Sequence, residues 1–424
     1  MRARTTTTTL AMGIAATMTL AACGGEAGTG GSDGAPGETI KFGFLNGITG
    51  DYSAYYDGSI AGAELAIEEI NEAGGVLDQE VELVTADNLS TVEGAVQGFS
   101  RLVDVDGVVA VGGVESDGGM AVFDAAHEQQ VPVFCPLCGT SELDTRGGEY
   151  MFRLTGSDTD GGILSAQFAR DAGYDSVALL VQNTEGASGP AEVFSEVFTD
   201  VVGGTVTGEV RFNPGAASYQ SEVDQATGSG GDAIYVGAGS EAGSVLLREW
   251  ERRGAEGQLF TSPDLVVPEI ASLSPSLEDG VIIGAITAYD TTSPAYESYA
   301  ERFRERTGEE PSAGVGDALQ YDQYIALALA IAQAGSTDGA AVAEALPEVL
   351  NPEGTVVYSY AEGRAELEAG NEIDYHGASS SVDVNEYGNL QSPVFSEQHI
   401  VDGEWQEIRT IELDPELRAA YLDE

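Results

Sequence analysis

From residue 40 onward, short apolar runs alternate with stretches in which apolar residues recur every three or four positions. Ile40–Asn46 reads as a strand, and 59–71 places Ile60, Ala63, Leu65, Ala66, Ile67 and Ile70 at helical spacing. Ala73-Gly74-Gly75 supplies the stop that ends such a helix. The unit repeats: a strand over 81–86 with a helix over 92–105, then a strand over 108–113 with a helix over 119–129. A strand over 131–134 opens another unit. Strand–helix alternation of this kind predicts a doubly wound parallel sheet.

The rhythm then restarts. A strand over 151–155 leads into a helix over 163–172, followed by pairs at 177–181 and 192–201, 206–212 and 219–226, and 233–236 and 242–253. Gln258–Thr261 and 281–286 read as further strands. Two successive α/β sheets are expected, each with its own core. From 294 to 350 the pattern is mainly helical, with a strongly apolar helix over 319–334, and beyond 355 it turns to short strands.

The first residues follow a different pattern. Arg2 and Arg4 precede a modest apolar stretch over 10–20, which closes on Leu20-Ala21-Ala22-Cys23. That stretch is shorter than the roughly 20 residues a spanning helix needs. The layout resembles a bacterial lipoprotein signal peptide, with cleavage before Cys23 and a lipid on its sulfur. Residues 24–37 hold no large apolar side chain and read as a flexible linker. The expected divisions are a signal peptide over 1–22 and an anchor with its linker over 23–38. On this reading the protein is extracytoplasmic and held to the cell membrane through Cys23.

Charge narrows the partners. Asp and Glu total 71 against 17 Lys and Arg, a net charge of −54, and Lys41 is the only lysine. Such a surface repels nucleic acid, so no nucleic-acid partner is expected. The acids are dispersed among apolar runs, which argues for a folded chain. Excess carboxylate with one lysine resembles proteins of salt-loving organisms, where salt screens self-repulsion. A fold of this kind loses stability in low salt; a melting temperature indifferent to salt would refute the halophilic reading.

No catalytic set stands out: the chain lacks a GxSxG elbow, a GxxxxGK[ST] loop and an HExxH pair. His127, His376 and His399 share no ligand spacing, so no metal is expected. Cys135 and Cys138 follow an apolar strand, which suits a structural disulfide or two thiols better than a redox pair. The run 237–242 fits GxGxx[GA], but its place in the second half and the exported character argue against a dinucleotide, and no cofactor is expected. Gly239 in that run reads instead as a turn at a sheet's carboxyl edge, where a ligand or chain approaches closely.

Doubly wound sheets bind ligands beyond the carboxyl ends of their strands. The loops there are 47–57, 112–119, 136–142, 183–190, 237–241 and 262–266. Tyr52, Tyr55 and Tyr56 are placed to wall an apolar side chain, or merely to pack on the surface. Asp264 is placed to receive an ammonium, or to cap the turn after Pro263; Ser116 and Thr140 are equally good helix caps.

These residues also carry a likeness. The segment "IKFGFLNGITGDYSAYYD" and the following "GAELAIEEINEAGGV" resemble the opening of branched-chain amino-acid substrate-binding proteins of ABC transporters. "VVAVGGVES", "PLCGTSELDTRG", "MFRLTGSD", "TGEEPSAGVGDALQYDQYIALALAIAQAGS" and "IDYHGASSSVDVNEYGNL" continue it in order. The resemblance implies a type I periplasmic-binding-protein fold: two α/β lobes joined by three crossings near 156–157, 286–287 and 374–377. Lobe 1 would then be 39–156 plus 287–374, and lobe 2 would be 157–286 plus 377–424. It further implies a non-enzymatic monomer that closes around an amino acid and delivers it to an ABC permease and its ATPase. Matching ligand positions are Ser116, Leu137, Cys138, Gly139 and Thr140 in lobe 1, Asp264 in lobe 2, and Tyr55 over the side-chain pocket. Two departures stand out. Gly139 replaces a frequent threonine, whose hydroxyl Thr140 would supply, and Ser188-Gly189 replaces Tyr-Gly, leaving the ligand side chain less covered. A short amide, urea or carboxylate is the alternative ligand, and a receptor subunit or exported hydrolase the alternative class.

Overall fold

In the computed structural model, which describes residues 39–422 apart from 255–256, 279 and 352, five strands form the first sheet. These are β1 (Ile40–Asn46), β2 (Val81–Asp87), β3 (Ala110–Gly112), β4 (Val133–Phe134) and β5 (Met151–Phe152). They run parallel in the order β2-β1-β3-β4-β5. Within β1 only Lys41 is less than buried, as expected for a strand covered on both faces. Cys23 and the rest of the proposed leader and linker lie outside the described residues.

The second sheet contains β6 (Ser176–Gln182), β7 (Thr205–Phe212), β8 (Ala233–Gly237), β9 (Gln258–Thr261) and β10 (Ile282–Thr287). A small parallel pair, β11 (Thr355–Val357) and β12 (Ile373–Tyr375), follows beside the first sheet's helices. The chain then returns to the second sheet as β13 (Phe395–Val401) and β14 (Glu404–Ile411). The order there is β14-β13-β10-β9-β8-β6-β7, with β13 and β14 antiparallel and the others parallel. Both sheets lie in one compact unit. Each has a point where strand order reverses, beside β1 and beside β6, and there the carboxyl ends open a crevice.

The core of lobe 1 is organised by the helix Asp317–Ala334, in which every residue from Asp317 to Ile331 is buried. It crosses the helix Tyr56–Glu72 so closely that a Cβ on Gly62 would lie 2.0 Å from the Asp317 carbonyl oxygen. Only glycine fits that crossing. Among the described residues no single helix is long and apolar enough to cross a membrane.

Three helices start earlier than their apolar spacing suggests. They begin at Ser116, Asp158 and Glu185, where the periodicity placed them from 119, 163 and 192. Their first turns hold glycine and polar residues, which carry no apolar period, and each follows an extended residue: Glu115, Ser157 or Thr184. These added turns bring polar groups to the crevice.

The three crossings lie side by side. Thr287 accepts the Gly156 N–H on its hydroxyl at 2.9 Å, and Ala288 N–H donates to the Val394 carbonyl at 2.7 Å. The third crossing therefore comes at 391–394, later than the expected 374–377. Before it, the chain stays on lobe 1: Asn389 bridges to Arg153, and its side chain donates to the Leu143 carbonyl at 2.6 Å. The stretch after β12 is a turn within the lobe, pinned by Asp322, and not the return to the second sheet.

Candidate functional site

Between the carboxyl ends of the two sheets lies a cleft lined by residues of both lobes. Lobe 1 contributes Tyr52 and Tyr55 after β1, Glu115 and Ser116 after β3, and Leu137 and Gly139 after β4. Lobe 2 contributes Asp158, Gly186 and Asp264, while Thr155–Thr287 contacts at the crossings form the floor. No Lys, Arg or His is among the lining residues. Three carboxyl groups, of Glu115, Asp158 and Asp264, share the space.

Asp264 is the acid most open to a partner. Pro263 begins the short 3-10 turn Pro263–Leu265 after β9, which turns the Asp264 side chain towards lobe 1. The Tyr55 hydroxyl donates to its Oδ1 at a long 3.5 Å, and Oδ2 has no partner at all. Burial, with Asp117 and Asp51 adding like charge, pushes its carboxyl up to about 7, against the pull of the Tyr55 hydroxyl. A positive group arriving in the cleft would supply what burial has removed.

Asp158 opens the helix Asp158–Asp171 immediately after the first crossing. Burial raises its carboxyl well above the usual range, and the nearby Asp264 adds to this while Arg153 opposes it. Its Oδ2 is also unpartnered. Gly139 makes room for it, because a Cβ there would lie 1.9 Å from Asp158 Oδ1. A threonine at 139 would therefore collide with that acid. Glu115 differs from both. Burial pushes it up to about 7, yet Asn88 Nδ2 donates to both of its oxygens at 2.9 Å, so its needs are met within lobe 1.

Of the residues singled out from the sequence, Tyr52, Tyr55, Ser116, Leu137, Gly139 and Asp264 are brought together around the cleft. Five are not. Tyr56 packs beside Phe44 on the lobe 1 core instead. Cys138 is fully buried and disulfide-bonded to Cys135, and the pair packs on Gly119 of the helix Ser116–Gln129. Thr140 is buried and gives its hydroxyl to Glu185 at 2.7 Å, across to lobe 2. Ser188 faces away, donating to the Gln182 carbonyl at 3.3 Å and accepting from Arg211 at 3.0 Å. Gly239 meets no ligand space; a Cβ there would lie 2.6 Å from the Asp51 carboxyl carbon.

That last contact belongs to a latch. Asp51, from the loop after β1, takes hydrogen bonds on its carboxylate from Gln182 Nε2 at 2.5 Å and the Ala242 N–H at 3.0 Å. Its carbonyl accepts from the Ser240 hydroxyl at 3.0 Å. The acid therefore sits at the start of the helix Ser240–Arg252, where a negative charge is favoured. Glu185 N–H donating to Asp117 at 3.0 Å adds a second tie between the lobes. Sequence reasoning missed Asp51 and Asp158. Asp158 lies one residue past the expected crossing at 156–157, a position that marks cleft residues once the lobes are known.

Known proteins resemble most of the chain. Residues 39–358 match a family described as periplasmic binding protein. A leucine-, isoleucine-, valine-, threonine- and alanine-binding protein of Pseudomonas aeruginosa is 26% identical over 311 residues, covering 73% of this chain and 82% of that protein. Among solved structures, a leucine-binding protein of Thermotoga maritima superimposes with a TM-score of 0.76 at 24% identity, covering 89% of this chain and 99% of the other. A solute-binding protein of R. palustris in complex with benzoate gives 0.73 at 15% identity, covering 88% and 96%. These structures share the fold of two α/β lobes.

Proposed function

The chain belongs to the periplasmic binding protein family, whose members bind a solute and do not transform it, and on that premise we propose that it captures an amino acid for an ABC importer. The supporting observation is the pair Asp264 and Asp158: two buried carboxyls, each with an unpartnered oxygen, in a cleft lined by no cation. An α-ammonium satisfies both. The helix Ser116–Gln129 begins at the same cleft, and its first-turn N–H groups suit the ligand's carboxylate. Tyr52, Tyr55 and Leu137 cover an apolar side chain, in keeping with the branched-chain ligands named for the Pseudomonas relative.

Capture works by closure. Asp51, on lobe 1, ties to Gln182 and Ala242 of lobe 2, and a ligand held between Asp264 and Ser116 adds to the closed form alone. A lipid on Cys23, as the sequence suggests, would keep the protein beside its permease.

A thermal-shift screen tests the ligand class. Leucine, isoleucine and valine should raise the melting temperature, while short amides, urea and benzoate should not. Stabilisation by benzoate or an amide without any amino acid would move the reading to the alternative ligands.

A further inference from the structure

We propose that Asp374, His376 and Asp383 form a binding site for one divalent transition-metal ion, of the Zn²⁺ or Mn²⁺ kind, on lobe 1 ahead of the third crossing. β12 delivers Asp374, and the His376 N–H still donates to the Val357 carbonyl at 2.9 Å, so extended pairing continues past the strand's end. Residues two apart in extended chain point the same way. The chain then turns, with Gly377 N–H donating to the Ser380 carbonyl at 2.8 Å, and returns Asp383 to the same place. One ligand atom from each of the three residues lies within 4.8 Å of the others.

An ion pair alone leaves this cluster incomplete. His376 Nε2 stands 3.2 Å from Asp374 Oδ2, close to the roughly 3.3 Å between two ligand atoms of a tetrahedral zinc. The Asp374 side chain is 4% exposed, yet its Oδ1 has no partner, and neither has the buried Oδ1 of Asp383. A single imidazolium leaves one of the two carboxylate charges uncompensated. A divalent ion with a neutral imidazole balances both charges, and three protein ligands leave room for water. One nitrogen and two oxygen donors suit zinc or manganese better than calcium, which takes oxygen ligands. The His376 side chain is 31% exposed, so an ion can enter from solvent. None of the three residues lines the interlobe cleft. Histidine spacing concealed the site, because two of its three ligands are acids.

The ion would brace the segment that Asp322 already holds through the Ala378 and Ser379 N–H groups, both at 2.7 Å. The test uses the full chain, stripped with a chelator and titrated calorimetrically with Zn²⁺ and, separately, Mn²⁺ in high salt. High salt suppresses diffuse counterion binding to so acidic a surface. The expected result is one ion per chain for at least one metal, weakened tenfold or more in both His376→Ala and Asp383→Asn. Absence of saturable binding, or equal affinity in Asp383→Asn, overturns the proposal. So does Ca²⁺ binding of the same strength. If His376→Ala does not fold by circular dichroism, Asp383→Asn alone decides.

Discussion

Asp322 and Asp264 are both buried carboxyls, pushed by burial to about 6 and about 7 respectively, yet their surroundings differ in kind. Asp322, inside lobe 1, receives the Ala378 and Ser379 N–H groups at 2.7 Å, the Tyr375 hydroxyl at 2.9 Å and the Ser379 hydroxyl. Asp264, in the cleft, has one long bond and a bare oxygen. Gly377 sharpens the contrast, since a Cβ there would lie 2.4 Å from the Asp322 carboxylate, so the loop is moulded to that acid. A buried charge that the chain itself completes is structure. One that it leaves incomplete awaits a partner from outside.

Substitutions at the two sites should therefore separate stability from binding. Asp322→Ala strands several buried donors and should cost about 3–5 kcal/mol of folding free energy, measured by denaturant unfolding. Asp264→Ala should weaken amino-acid binding by about 2–3 kcal/mol in calorimetry, because the ligand's ammonium loses its counter-charge. Its melting temperature without ligand should hold or rise, since a strained acid has gone. Equal thermal damage in both variants would erase the distinction. The latch should give the smallest effect: Asp51→Ala leaves the ligand contacts intact and shifts only the open–closed balance, for roughly 1 kcal/mol of affinity. A change in affinity as large as that of Asp264→Ala would make Asp51 a ligand contact instead.

The same contrast explains what could be read along the chain. The strands expected at 81–86 and 177–181 are matched by β2 and β6; in β6 burial on both faces leaves a continuous apolar run, whereas β2, at the sheet's edge, alternates with Glu82 and other partly exposed residues. Asp264 stood out for its place just past a strand end. Thr140 drew attention for the same reason, but its hydroxyl is taken by Glu185 from the other lobe, a contact far away in sequence. Asp158 went unnoticed because it falls among the polar first turn of a helix whose apolar spacing begins later. The third crossing, which the resemblance implied at 374–377, comes later because only strand pairing shows which sheet the chain joins next.

The central claim, that Asp264 completes its charge with the ligand's ammonium, can be tested through protons. In the unliganded protein this carboxyl titrates near 7; an ammonium favours the ionised form and lowers that value. Below pH 7 binding must therefore release a proton, and affinity should fall by up to about tenfold per pH unit as pH drops further. Calorimetric titration of an amino acid at pH 6, in two buffers of different ionisation enthalpy, measures that release directly. Net proton release is expected in the wild-type protein, reduced by the Asp264 share in Asp264→Asn. Binding with no proton release, or with release unchanged in Asp264→Asn, would contradict it.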